Sequence, residues 1–144
     1  MRDPRKNTRG FTLVELLIVI IIIAVLAAVV VPKFANSGIR SKEAALRSDL
    51  KVMRNAIDLF RSDTGVFPAA LVDLTVETAP ASGKQKDGTN KAIVGTDFKG
   101  PYMEAVKTDP VSGGNYTYSV TSPTVGKITA PSGTASDGTD YNTW

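Results

Sequence analysis

From Phe11 to Val31 the chain has only two polar side chains, Thr12 and Glu15, in twenty-one residues. At ~1.5 Å per residue such a run makes a helix of ~32 Å, enough to cross a hydrocarbon core of ~30 Å. Beyond Gly38 the pattern changes. Ile39, Leu46, Leu50, Met53, Ile57 and Phe60 recur at spacings of three, four and seven, which predicts one apolar stripe of an amphipathic helix. Arg40, Lys42, Glu43, Arg47, Asp49, Lys51, Arg54, Asp58 and Arg61 are assigned to the other faces. Pro32 removes a backbone donor and predicts a kink, and Gly38 adds a second soft point. Asp63-Thr64-Gly65, with Pro68 beyond, supplies a stop. The expectation is one helix from about Phe11 to Ser62. Its first half faces lipid or a partner, and its second half packs on a small domain.

The rest of the chain is read from shorter patterns. Val66–Leu74 predicts a turn and a short helix, and residues 78–100, rich in Gly, Thr, Lys and Asp, predict a variable loop. Asp109-Pro110-Val111-Ser112-Gly113-Gly114 is turn chemistry. Asn115–Val120 alternates as a strand does, and Val125–Ala130 predicts a second strand. The fold class is therefore α+β: a long N-terminal helix packed on a small antiparallel sheet. No internal repeat stands out.

Charge and composition remove several functions. The formal charge of +3 resides in the first ten residues, where Arg2, Arg5, Lys6 and Arg9 face Asp3; the remainder carries 13 basic and 13 acidic side chains. A mature chain without that segment is not a basic nucleic-acid binder, and no nucleic-acid partner is expected. The same basic residues hold the N-terminus on the cytoplasmic side of a membrane. The chain has no cysteine and no histidine, which excludes disulfides, thiolate metal sites and the commonest general base. No catalytic set and no phosphate-binding glycine loop is visible, so the chain is not read as an enzyme. A cleaved secretory signal would have a 7–15-residue apolar core and a small-residue exit. This run is longer and leaves through Val31-Pro32-Lys33-Phe34.

Gly10-Phe11-Thr12-Leu13-Val14-Glu15, behind a basic leader and ahead of an apolar helix, resembles the start of a type IV pilin or pseudopilin precursor. The resemblance implies a pilin-like fold and cleavage between Gly10 and Phe11 by a membrane prepilin peptidase. It also implies N-methylation of Phe11, with Pro32 falling where many members carry a proline. The implied domains are a leader over 1–10, a transmembrane and filament-core helix over 11–31, and a periplasmic or extracellular globular domain over 32–144. The order of later segments is similar to the major pseudopilin of type II secretion. Asp63-Thr64-Gly65-Val66-Phe67-Pro68, Leu71-Val72-Asp73-Leu74, Gly100-Pro101-Tyr102-Met103 and Asp109-Pro110…Asn115-Tyr116 follow that subgroup, as does the ending Asp140-Tyr141-Asn142-Thr143-Trp144. Thr108 and Val111 depart from it, standing where the subgroup has proline and tryptophan.

These readings give the candidate residues. Gly10 is small enough to lie extended in a peptidase cleft, or is a flexible residue before a helix. Glu15 in lipid is costly and by default functional. It pairs with the N-terminal ammonium of Phe11 on a neighbouring subunit, or it is a neutral side chain snorkelling to the interface. Ile20–Ile23, Ala24, Ala27 and Ala28 permit close helix approach in a filament core, as they would in any membrane helix. Asp137 and Asp140 offer hard oxygen ligands of the kind calcium takes, or form a solvated Asp-Gly turn without metal. In the resembled subgroup the matching loop binds calcium. The expected function is a structural subunit of a helical filament, most similar to a type II secretion pseudopilin. A surface pilus subunit is the near alternative, and a signal-anchored periplasmic binding module is the distant one. Expected partners are copies of itself, minor pseudopilins or pilins, the prepilin peptidase and an inner-membrane assembly platform. The expected place is the inner membrane, then a periplasmic or surface filament.

Overall fold

The computed structural model describes residues 10–144, with the side chains at positions 32, 33, 35 and 36 left aside. The expected leader, apart from Gly10, lies outside the described residues. The chain divides after Gly38 into two units.

Helix α1 spans Leu13–Thr64, close to the predicted span, and its residues up to Gly38 belong to the first unit. The segment Leu13–Val31 is long and apolar enough to cross a membrane, and its side chains are exposed. An apolar surface of this extent is left for lipid or a partner to cover. The helix runs through position 32 without interruption, so the proline there ends nothing. Its ring lies outside the described side chains.

The second unit, Ile39–Trp144, is built on the remainder of α1. Leu46, Leu50, Met53, Ile57 and Phe60 are buried, as the spacing predicts. Two assignments are corrected. Ile39 is 46% exposed, whereas Glu43, placed on the polar faces by its chemistry, is 7% exposed. Positions 43, 46, 50, 53, 57, 60 and 64 alternate steps of three and four, so Glu43 continues the buried stripe one turn below Leu46. Gly65 closes the helix at φ +73° with its N–H donating to the Arg61 carbonyl at 2.9 Å, a left-handed cap that glycine adopts without Cβ strain.

After the cap, Phe67 exchanges two backbone hydrogen bonds with Lys84, at 2.8 and 2.7 Å. The predicted short helix is a 3₁₀ turn over Leu71–Leu74, anchored by fully buried Leu74. The Leu74 carbonyl accepts from the N–H groups of Tyr102 and Met103. Phe60, Phe98 and Tyr102 meet edge to face with centroids 5.4–5.9 Å apart, and the Tyr102 hydroxyl donates to Asp63 at 2.9 Å. Asp109 is buried as the keystone of its turn, accepting from the N–H groups of Val111 and Ser112 and from the Ser112 hydroxyl.

The sheet is smaller and more divided than expected. Strands β1 (Ser82–Lys84) and β2 (Asn90–Ala92) form one antiparallel pair, inside the segment read as a loop. Strands β3 (Thr117–Tyr118) and β4 (Ile128–Thr129) form the other, within the two predicted strands. The β1–β2 hairpin lacks apolar alternation because β2 is wholly exposed. Its signal was the turn: Gly88 sits at φ +88°, its N–H donates to the Gln85 carbonyl, and the Gln85 N–H donates to Thr89. A type I turn followed by a left-handed glycine is a common three-residue hairpin loop.

Candidate functional site

Two clusters carry the residues singled out by sequence, one at the start of α1 and one where the last fourteen residues meet the helix. At the start, Gly10 and Phe11 precede the helix, and Phe11 is 80% exposed. Thr12 is the N-cap. Its hydroxyl accepts the Glu15 N–H at 3.2 Å, and Glu15 Oε2 reaches back to the Thr12 N–H at 2.8 Å and hydroxyl at 2.9 Å. This is a reciprocal capping box, which satisfies two donors that would otherwise be orphaned where water is scarce. The signature Thr-x-x-Glu stands in the sequence, and reading Glu15 only as a lipid-facing charge overlooked it. Glu15 Oε1 has no partner among the described residues.

At the other cluster, residues 131–144 fold as a small hairpin loop laid on α1. The Ala135 N–H donates to the Thr139 carbonyl and the Gly138 N–H to the Ala135 carbonyl, with Gly138 at φ +85°. Asp137 Oδ1 accepts both the N–H and the hydroxyl of Thr139, at 2.9 and 2.6 Å. Thr134 and Asp140 bridge the loop's base, and Tyr141–Thr143 form a 3₁₀ turn.

Helix side chains clamp this loop. Glu43 Oε1 accepts the Ser136 N–H at 2.6 Å and the Tyr141 hydroxyl at 3.2 Å, and Oε2 accepts the Ser136 hydroxyl at 2.6 Å. The Ser136 hydroxyl holds the Glu43 carboxyl below its ordinary range. The Ser136 N–H and the Tyr141 hydroxyl act the same way, against burial and the repulsion of Asp137. One turn along, Arg47 pairs with Asp137 Oδ2 at 3.1 Å and lies over the Trp144 ring, 3.8 Å from its centroid. The Thr139 hydroxyl and N–H, then Arg47, lower the Asp137 carboxyl. Trp144 meets Tyr141 edge to face and donates from Nε1 to the Thr139 hydroxyl at 3.0 Å. Arg54 donates to the carbonyls of Ile128 and Trp144.

The residues named for calcium do not come together as a cation cage. Calcium takes six to eight oxygens. Both oxygens of Asp137 are already engaged, one by Thr139 and one by a guanidinium. Asp140 is exposed at the loop's base, and no group of three acidic side chains is placed to share an ion among the described residues. A cleft of about 300 Å³ beside the clamp is lined by Arg40, Glu43, Ala44, Arg47, Ser136 and Asp137. Two guanidiniums face two carboxylates there, which leaves no excess negative charge for a divalent ion. Sequence reasoning missed Glu43 and Arg47. The signal that could have found Glu43 was its place in the three-four alternation.

Comparison with known proteins adds a second line. Residues 5–31 match the family described as the prokaryotic N-terminal methylation motif. The chain is 29% identical over 105 residues to type II secretion system core protein G of Pseudomonas aeruginosa, covering 69% of this chain and 74% of that one. It is 32% identical over 68 residues to the protein of the same name in Vibrio cholerae, spanning less than half of either chain, 47% and 46%. It is also 35% identical over 80 residues to the type IV wide pilus major component PilA4 of Thermus thermophilus, covering 54% of this chain and 61% of that one. No solved structure matches.

Proposed function

We propose that the chain, which carries the prokaryotic N-terminal methylation motif over residues 5–31 and is similar beyond it to type II secretion system core protein G, is a type IV pilin-like protein and the major pseudopilin of a type II secretion apparatus. It is a structural filament subunit, not an enzyme. The observation that carries the reading is the extent of the likeness to core protein G, 105 residues, far beyond the methylation motif. The wholly exposed apolar segment Leu13–Val31 supports an inner-membrane anchor before assembly and a helix-packed filament core after it.

In this reading prepilin peptidase removes residues 1–10 after Gly10, and the new N-terminal Phe11 is methylated. The exposure of Gly10 and Phe11 ahead of the helix suits an extended segment entering a protease cleft. Residues 11–31 then anchor the subunit, and the segment after them lies in the periplasm. Glu15 keeps Oε2 on its own helix cap and offers Oε1 to the ammonium of Phe11 on the next subunit, which sets the register of assembly. The partners that follow are copies of itself, minor pseudopilins and an assembly platform in the inner membrane.

The test is intact mass and N-terminal analysis of the native protein, followed by deletion of its gene. A chain that begins at methylated Phe11, with loss of protein export on deletion, is the expected result. A chain that retains Met1 removes the pathway. Glu15→Ala is expected to abolish filaments while leaving processing intact, and filaments assembled normally by that variant would end the pairing idea. The likeness to pilus components favours one second reading, a major subunit of a surface type IV pilus. Long surface filaments that disappear on deletion while export continues would select it.

A further inference from the structure

We infer that the loop Pro131–Trp144 is locked onto the helix by side chains alone, Glu43 and Arg47 with Arg54 on the Trp144 carbonyl, and that the Arg47 guanidinium supplies the positive charge at Asp137, so that the fold is calcium-independent.

Three independent features carry this. The first is the donor inventory. Asp137, the acid at the loop's tip, has Oδ1 saturated by the Thr139 N–H and hydroxyl and Oδ2 on Arg47. A cation brought to Asp137 would have to displace a guanidinium that is also fixed over Trp144. The second is Glu43. A carboxylate on the buried face of a helix needs several donors to be tolerated there. It finds three, and all come from the loop: the Ser136 N–H, the Ser136 hydroxyl and the Tyr141 hydroxyl. The loop and the buried acid therefore satisfy each other.

The third is a built-in control. Asp87-Gly88-Thr89 repeats the hydrogen bonds of Asp137-Gly138-Thr139 on a different hairpin, with Asp87 Oδ1 accepting the Thr89 N–H and hydroxyl at 2.9 and 2.6 Å. The same geometry thus arises as ordinary turn chemistry, with basic neighbours Lys86 and Lys91 instead of acidic ones. An Asp-Gly-Thr turn here is a hairpin device, and the Asp137 copy differs only in having a helix to clamp it.

Trp144 is the chain's single tryptophan and lies inside the clamp, so its emission reports the lock directly. The full chain in detergent is measured by tryptophan fluorescence and thermal unfolding, in excess EGTA and in millimolar calcium chloride. Emission and Tm are expected to coincide in the two buffers. Arg47→Ala and Glu43→Gln are each expected to shift emission to the red and to lower Tm by several degrees. A calcium-dependent emission change, or a Tm raised several degrees by calcium in the unaltered chain, overturns the inference, as does emission unchanged in both variants. If a variant fails to fold, the two-buffer comparison on the unaltered chain decides.

Discussion

Two turns of this molecule share one local solution and differ in everything around it. At Gln85–Thr89 and at Ala135–Thr139 the chain reverses through the same glycine conformation and the same pair of bonds from threonine to aspartate. The first turn closes an exposed hairpin whose second strand has no buried residue. The second lies against α1, held by Glu43 from one side and Arg47 from the other. Local chemistry therefore makes the turn, and a buried acid one helical turn below the core makes it a fastening point. The comparison also separates two meanings of an aspartate in a loop, since Asp87 and Asp137 use Oδ1 identically while only Asp137 meets a fixed cation.

The equivalent positions Ser136 and Lys86 break the comparison most sharply. Ser136→Ala removes a 2.6 Å charge-assisted bond to Glu43, and the loss in Tm is expected to be about 5 °C. Lys86→Ala should leave Tm within about 2 °C. Differential scanning calorimetry of both variants reads this directly, and equal losses would deny the second turn its special role. Gly88→Ala and Gly138→Ala force an alanine into the left-handed region at φ +88° and +85°. Each is expected to lose about 1–2 kcal/mol in urea unfolding, but only Gly138→Ala should move the emission of Trp144.

Acid sharpens the contrast further. The carboxyls of Asp87, Asp137 and Glu43 all lie below their ordinary values, mainly through threonine and serine hydroxyls. A carboxyl lowered by folding contributes stability above its unfolded value, ~3.9 for Asp and ~4.3 for Glu, and loses it as pH falls through the folded value. Stability should therefore hold above about pH 4.5 and decline below it. Trp144 emission is expected to shift before helical circular dichroism falls, since only the second turn links a titrating acid to the tryptophan. Simultaneous loss of both signals would show that the clamp has no separate identity. The smallest effect is expected at Lys107→Ala, which breaks an ion pair with Asp49 at 3.3 Å in which the lysine is well exposed. A change above about 1 kcal/mol there would contradict the weakness expected of surface pairs.

The sequence by itself determined the long helix, its apolar first half, its glycine stop and most of the core stripe, because these rest on periodicities that local geometry imposes on any chain. It also displayed, in consecutive residues, the segment that matches the prokaryotic N-terminal methylation motif. The β1–β2 hairpin was legible only through Asp-Gly, since an exposed two-stranded ribbon needs no apolar alternation. What the tertiary structure decided was which side chains far apart in sequence would meet. Glu43 looks like a surface acid until Ser136 and Tyr141, more than ninety residues later, supply its donors. Asp137 and Asp140 look like ligands until Arg47 occupies one oxygen of Asp137 and the backbone carries Asp140 to the loop's base. A carboxylate's role depends on who donates to it, and that is set by burial and long-range packing, which no local pattern encodes.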